Sequence, residues 1–188
     1  MSTSLRSHAQ ICGELTQLQA KYGPIGLVEG SAREASEVAR IIAALEQFME
    51  CVRYLNTRRS GTTLALTSEA AVQDAVFLML RPWVSDLVAE APTDKIASRY
   101  TIKDFRSVRA RTIVEAKIVR DKDHGRSISK EIHDDIETYR SDPRCDNIVF
   151  FLYDPDVFIP DRAALKRQIE IERIYDGLRL SCFVVINP

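Results

Sequence analysis

Three residues in the stretch from Arg99 to Lys117 have the types and spacing to do chemistry: Asp104, Glu115 and Lys117. The stretch, R-Y-T-I-K-D-F-R-S-V-R-A-R-T-I-V-E-A-K, reads as two β-strands joined by a short turn. Asp104 falls on the first strand, Glu115 and Lys117 on the second. Successive strand side chains point to opposite faces, so Glu115 and Lys117 share one face, while Val114, Ala116 and Ile118 take the other and can be buried. Two carboxylates from adjacent strands, with an ammonium beside them, can hold a divalent cation against a phosphate, as phosphodiester hydrolysis requires. A solvated strand face, with Glu115 paired to a neighbour, accounts for the same three residues. An acid, a gap of ten and then E-x-K is a common pattern. The surrounding elements have to decide.

Glu69 is a further acidic candidate. It lies in the first turn of an expected helix, where the macrodipole favours acids, and it is also placed to act as a third carboxylate aimed at a metal. Charge is unevenly spread. The chain of 188 residues has a net charge of −1, but Arg99 to Lys130 holds ten Lys or Arg against four Asp or Glu. A polyanion would be drawn to that segment; a solvated basic hairpin explains it equally well.

Length and composition (45% hydrophobic, 28% charged) indicate an ordinary soluble globular protein, a single domain with a helical extension. No apolar run of 18 or more predicts a membrane helix, and the N-terminus has no signal-peptide core, so a cytoplasmic location is expected. Cys12, Cys51, Cys145 and Cys182 are scattered and read as buried free thiols in a reducing compartment. Scattered histidines and cysteines argue against a zinc site. No P-loop and no nucleophile elbow is present.

The positioning elements follow from periodicity. A helix is expected over 5–22, ended by Gly23-Pro24. A second, opened by the capping box Ser31 to Glu34, runs to about Asn56 on a sustained apolar face that reads as core or as a dimer seam. Thr67 looks like the N-cap of a third helix through Leu80. A short strand over 87–91 precedes the hairpin from about Tyr100 to Arg120. Asp121 to Arg126 reads as a charged loop, followed by a helix over 129–140 with Ile128, Ile132, Ile136 and Tyr139 on one face. Residues 148–153 are nearly all apolar, the mark of a buried central strand. Asp161 caps a helix to about Tyr175 that Gly177 ends, and Leu178 to Ile186 is the last strand. Strand runs mixed with βαβ crossovers predict an α/β fold with a mixed sheet flanked by helices. The expected division is a helical extension over 1–60 and a catalytic-type domain over 61–188.

The triplet Asp104, Glu115, Lys117 resembles the D-x(n)-E-x-K signature of the PD-(D/E)xK nuclease superfamily. The element order from Glu69 to the strand at 148–153 is similar to the αβββαβ core of restriction-endonuclease-like nucleases. More narrowly, six pieces look like the DpnII/MboI-type nuclease domain: Arg58-Arg59, S-E-A-A-V-Q-D at 68–74, S-R-Y-T-I-K-D-F at 98–105, V-E-A-K at 114–117, E-I-H-D-D-I-E-T-Y at 131–139, and Y-D-P at 153–155 with I-P-D at 159–161. One departure is that Ser98-Arg99, which the family often has directly before its aspartate, stand five residues ahead of Asp104.

The resemblance implies roles. Asp104 and Glu115, with the backbone carbonyl of Ala116, would ligate Mg²⁺ or Mn²⁺. Lys117, its pKa lowered beside the cation, would orient or help deprotonate the attacking water and stabilise the phosphate, and Glu69 would help hold the metal or its water. Arg99, Lys103, Arg106, Arg109, Arg111, Arg120, Lys122 and Arg126 are candidates for phosphate contacts. Glu131, His133 and Asp135 on the following helix and His124 in the charged loop are weaker candidates. The expected activity is metal-dependent endonucleolytic cleavage, most naturally of DNA, with RNA left open, in prokaryotic defence or restriction. A homodimer or an effector subunit of a larger defence complex would suit it. The rival reading keeps the fold without the catalysis, as a nucleic-acid-binding or assembly subunit.

Overall fold

The structure is a computed structural model. It describes residues 31–58, 61, 63–92 and 102–188, without the side chains of 31–36, 90–92 and 102–103. The helix expected over 5–22, Cys12 and the capping-box side chains of Ser31 and Glu34 lie outside the described residues. Residues Glu34–Pro188 form one structural unit. The boundary expected near residue 60 falls inside it.

The sheet is organised on β4 (Asn147–Tyr153), whose sequence N-I-V-F-F-L-Y carries apolar side chains toward both faces. It pairs in parallel with β3 (Thr112–Ile118) on one side and with β6 (Leu178–Asn187) on the other. Only a strand covered on both faces tolerates such a run. Antiparallel strands complete the sheet: β1 (Leu87–Pro92) and β2 (Ile102–Ser107) beyond β3, and β5 (Arg173–Tyr175) beyond β6, in the order β1-β2-β3-β4-β6-β5. The mixed sheet expected from the sequence is present.

Alternation along the strands makes two cores. Val114, Ala116, Val149 and Phe151 face Ile41 and Leu45 of α1 (Ser31–Glu46), Phe48 of α2 (Phe48–Thr57) and Val72 and Val76 of α3 (Glu69–Leu80). Ile113, Ile148, Phe150 and Leu152 face Ile128, Ile132 and Ile136 of α4 (Lys122–Tyr139) and Leu165 and Ile169 of α5 (Arg162–Ile169). Helices thus cover both faces of the sheet. The apolar stripe over 38–52 is core: Val38, Ile41, Leu45, Phe48 and Val52 are all buried. Each such side chain stabilises by about 1.5–3 kcal/mol, more than any exposed ion pair. Among the described residues, no helix is long and apolar enough to cross a membrane.

Several boundaries differ from expectation, each for a local reason. The helix expected over 31–56 breaks at Gln47, with φ −88° and ψ 2°. Beside the break, Asn187 Nδ2 donates to the Leu45 carbonyl at 2.9 Å, and Phe48 packs tilted against Phe151, 4.7 Å between ring centres. A side chain at the helix ladder is a recognised cause of a kink. Ser68, not Thr67, caps α3, its Oγ accepting from Ala71 N at 3.2 Å. The expected charged loop 121–126 is instead the first turn of α4, because Asp121 caps it and accepts from His124 N at 2.8 Å. The helix expected to reach Tyr175 stops at Ile169. Asp176 and Gly177, with φ of 49° and 80°, then turn β5 into β6. Two successive left-handed residues make the tight hairpin for which Asp-Gly is suited. Cys51 is exposed rather than buried, while Cys145 and Cys182 are buried.

Gly125 lies within α4 because of a close approach. A Cβ there would sit 2.4 Å from the Phe158 carbonyl oxygen. Helix propensity favours alanine by about 1 kcal/mol, but the clash is with backbone, which cannot swing away. Gly125→Ala is therefore expected to destabilise the protein by about 1–3 kcal/mol in urea unfolding. A stabilised variant would show that α4 and the 154–160 segment separate easily.

Candidate active site

The site begins where β2 and β3 stop pairing. Their register runs Ser107↔Thr112, Arg106↔Ile113 and Phe105↔Val114. At the next position the Asp104 side chain takes over, its Oδ2 accepting from Ala116 N at 2.8 Å. A carboxylate thereby replaces a ladder carbonyl and is tethered to the backbone between Glu115 and Lys117. Those two residues project on the face of Ile113, toward α4, while Val114 and Ala116 are buried on the opposite face.

Glu115 is 5% exposed. Its Oε1 accepts from the Tyr139 hydroxyl at 2.6 Å. Burial, then the charge of Asp104, pushes its carboxyl up to about 8, against the stabilising hydrogen bond from Tyr139. Asp104 is also raised, chiefly by burial, against hydrogen bonds from Ala116 N and from the Gln73 side chain. Lys117 Nζ lies 2.8 Å from Asp135 Oδ2. Burial acts to lower the lysine, but Asp135, Glu115 and Glu131 outweigh it and raise it. The protein's own groups thus favour the ammonium, whereas the lowering expected of Lys117 is the separate effect of a bound cation.

Among the described residues, no group of three or more His, Cys, Asp or Glu is gathered as a metal cage. Glu69 pairs with Arg120 at 3.4 Å, although its charge also acts to raise Asp104. The pair Asp104 and Glu115 remains. Two hard oxygen donors, the charge of Asp104 raising Glu115, are a donor set a divalent cation would relieve, and Mg²⁺ or Mn²⁺ needs few carboxylates. On that chemistry the residues fit the metal.

The basic segment is largely paired in space. Arg106, expected to meet phosphate, is 8% exposed and turned inward, with Nη1 3.7 Å from Asp142 Oδ2 and Nη2 donating to the Arg144 carbonyl. Arg109 pairs with Glu37 at 2.7 Å, and Arg111 grips Asp146 through Nε and Nη2. Both lie at the 108–111 turn, the end of β3 away from the site; Arg111 is four residues from Glu115, about 13 Å along a strand. Arg120, Lys122 and Arg126 are exposed near the C-terminal end of β3 and the start of α4, where a backbone could approach Glu115 and Lys117. Arg99 and the Lys103 side chain lie outside the described residues.

Two contacting residues were missed in the sequence, Gln73 and Tyr139; a third, Asp135, stood only among the weaker candidates. Tyr139 counted as one more apolar member of the stripe with Ile128, Ile132 and Ile136. The available signal was the spacing of Asp135 and Tyr139, four apart and so on one side of the helix. His133 is engaged locally, Nδ1 lying 2.6 Å from the Ser129 carbonyl. His124 lies in α4, accepting from Arg120 N through Nδ1, with Nε2 3.2 Å from Glu131.

Comparison with known proteins matches the chain to a family. The profile of the DpnII-MboI restriction endonucleases (REase_DpnII-MboI) covers residues 36–186. No curated protein and no solved structure matches.

Because the Glu115 pKa is raised on folding, its contribution favours the fold at low pH and is lost as pH rises from the unfolded value near 4.5 through about 8. Gln keeps the shape and the acceptor for Tyr139 without the charge. In EDTA, Glu115→Gln should stabilise the protein by about 1–3 kcal/mol at pH 9 and by little at pH 4. Equal unfolding midpoints of variant and wild type at pH 9 would contradict this burial of charge.

Proposed function

The chain belongs to the DpnII-MboI restriction endonuclease family, and we propose that it cuts DNA by metal-dependent hydrolysis at the site formed by Asp104, Glu115 and Lys117. The supporting observation is the juxtaposition of a buried carboxylate, Glu115, and a half-buried one, Asp104, tethered to the backbone beside it, with an ammonium on the same strand face. A face used only for packing would not accumulate that repulsion.

Asp104, Glu115 and the Ala116 carbonyl would hold Mg²⁺ or Mn²⁺. When bound, the metal supplies polarisation of the scissile phosphate and acidification of the attacking water. Asp104 is pre-set for this by its bond to Ala116 N, and Glu115 by its bond to the Tyr139 hydroxyl. Asp135, Glu115 and Glu131 act to raise Lys117. Its ammonium would place positive charge against the phosphate as charge builds on the oxygens and would orient the attacking water. Arg120, Lys122 and Arg126 would bind flanking phosphates, and Glu69, paired with Arg120, would act through that arginine.

A restriction-type role in prokaryotic defence, in the cytoplasm and in a two-fold assembly able to cut both strands, is the setting such chemistry suits. The decisive assay incubates the full chain with supercoiled plasmid, single-stranded DNA and RNA, each with Mg²⁺, Mn²⁺ or EDTA. Cleavage of DNA with metal is expected, falling by about 10²-fold or more in Lys117→Ala and Asp104→Ala, while DNA binding by Lys117→Ala persists. Metal-independent binding without cutting would instead support the non-catalytic subunit.

A further inference from the structure

Helix α4 sets two polar side chains four residues apart, Asp135 and Tyr139, against two polar side chains two apart on β3, Lys117 and Glu115. The contacts are short: Tyr139 hydroxyl to Glu115 Oε1 at 2.6 Å and Lys117 Nζ to Asp135 Oδ2 at 2.8 Å. Four helical residues advance about 6 Å and two strand residues about 6.6 Å, so the rows match in pitch. They match in direction too. α4 is the crossover between the parallel strands β3 and β4, so it runs back along β3 and brings the later helix residue to the earlier strand residue.

Packing alone calls for neither polar group. Ile128, Ile132 and Ile136 fill the neighbouring stripe of the same helix, yet Tyr139, 1% exposed, carries its hydroxyl into the core and spends it on Glu115. The adjacent acids Asp134 and Glu137 are exposed, whereas Asp135 is half-buried against Lys117. The helix is itself held firmly, by its isoleucines and by the close approach of Gly125 to Phe158.

We infer that Tyr139 and Asp135 are positioning residues of the nuclease site, Tyr139 orienting the Glu115 carboxylate for the metal and Asp135 holding the Lys117 ammonium for the phosphate. The inference rests on the functional reading above and assigns α4 a separate effect on each of its two partners. Groups hydrogen-bonded to a metal ligand change metal affinity; a partner of the lysine changes the chemical step.

The test uses the full chain with Tyr139→Phe and Asp135→Asn. Mn²⁺ binding is measured by titration calorimetry, DNA cleavage as separate kcat and KM, and folding by thermal melts. Tyr139→Phe should weaken Mn²⁺ binding by about 10–100-fold in a protein that still melts cooperatively. Asp135→Asn should leave Mn²⁺ affinity unchanged and lower kcat by about 10-fold or more, with little change in KM. A folded Tyr139→Phe with wild-type Mn²⁺ affinity, or an Asp135→Asn with wild-type kcat, overturns the assignment. If Tyr139→Phe does not fold, the kcat of Asp135→Asn decides. A wild-type chain that neither takes up Mn²⁺ nor cuts defeats the nuclease reading itself; an active wild type with unaltered variants defeats only the positioning roles.

Discussion

A carboxylate set into a hydrocarbon core governs this architecture. Glu115 is 5% exposed on a strand whose neighbours are Val114 and Ala116, and burying its charge is costly. Much of the surrounding structure answers that cost. Tyr139 turns its hydroxyl inward to donate to it. Lys117 stands on the same face, and its charge favours the ionised form. Asp104 adds a second negative charge at the point where β2 leaves β3. The local balance, with Asp104, Glu115 and Asp135 around Lys117, is left short of positive charge.

The apolar framework makes this arrangement hold. Each buried isoleucine of α4 contributes about 1.5–3 kcal/mol, whereas an exposed ion pair contributes about 0–1 kcal/mol. Helix placement is therefore decided by Ile128, Ile132 and Ile136, and the polar contacts of Asp135 and Tyr139 follow from it. The same ranking explains the basic segment. Arg106, Arg109 and Arg111 are engaged by acids from distant positions, Asp142, Glu37 and Asp146, so charge crowded along the chain is dispersed in space.

Patterns of period two and regular helical stripes were legible in the sequence. The apolar run at 148–153, the alternation around Glu115 and the stripe of α4 announced the mixed sheet and its covering helices. Features set by a single contact were not. Asp121 looked like part of a charged loop because its capping bond shows only in three dimensions. The break at Gln47 sits beside a bond from Asn187, 142 residues away. Asp176-Gly177 was a readable hairpin signal, overlooked because Gly177 also suits a helix end. At the site, the acid–acid–lysine triplet was visible from spacing, whereas Tyr139 was hidden: an aromatic on an apolar stripe looks like packing until its hydroxyl has a partner.

The position of β6 carries a consequence for assembly of the chain. It is the last described strand in sequence, yet it pairs along one whole side of β4, from Asn147↔Ser181 to Tyr153↔Asn187. A ribosome releases β4 well before β6. Until residues 178–187 emerge, β4 keeps an open hydrogen-bonding edge beside Phe150 and Phe151, the kind of exposed strand that recruits other chains. Synthesis halted before Leu178 would leave a four-stranded sheet with the open edge of β4 exposed.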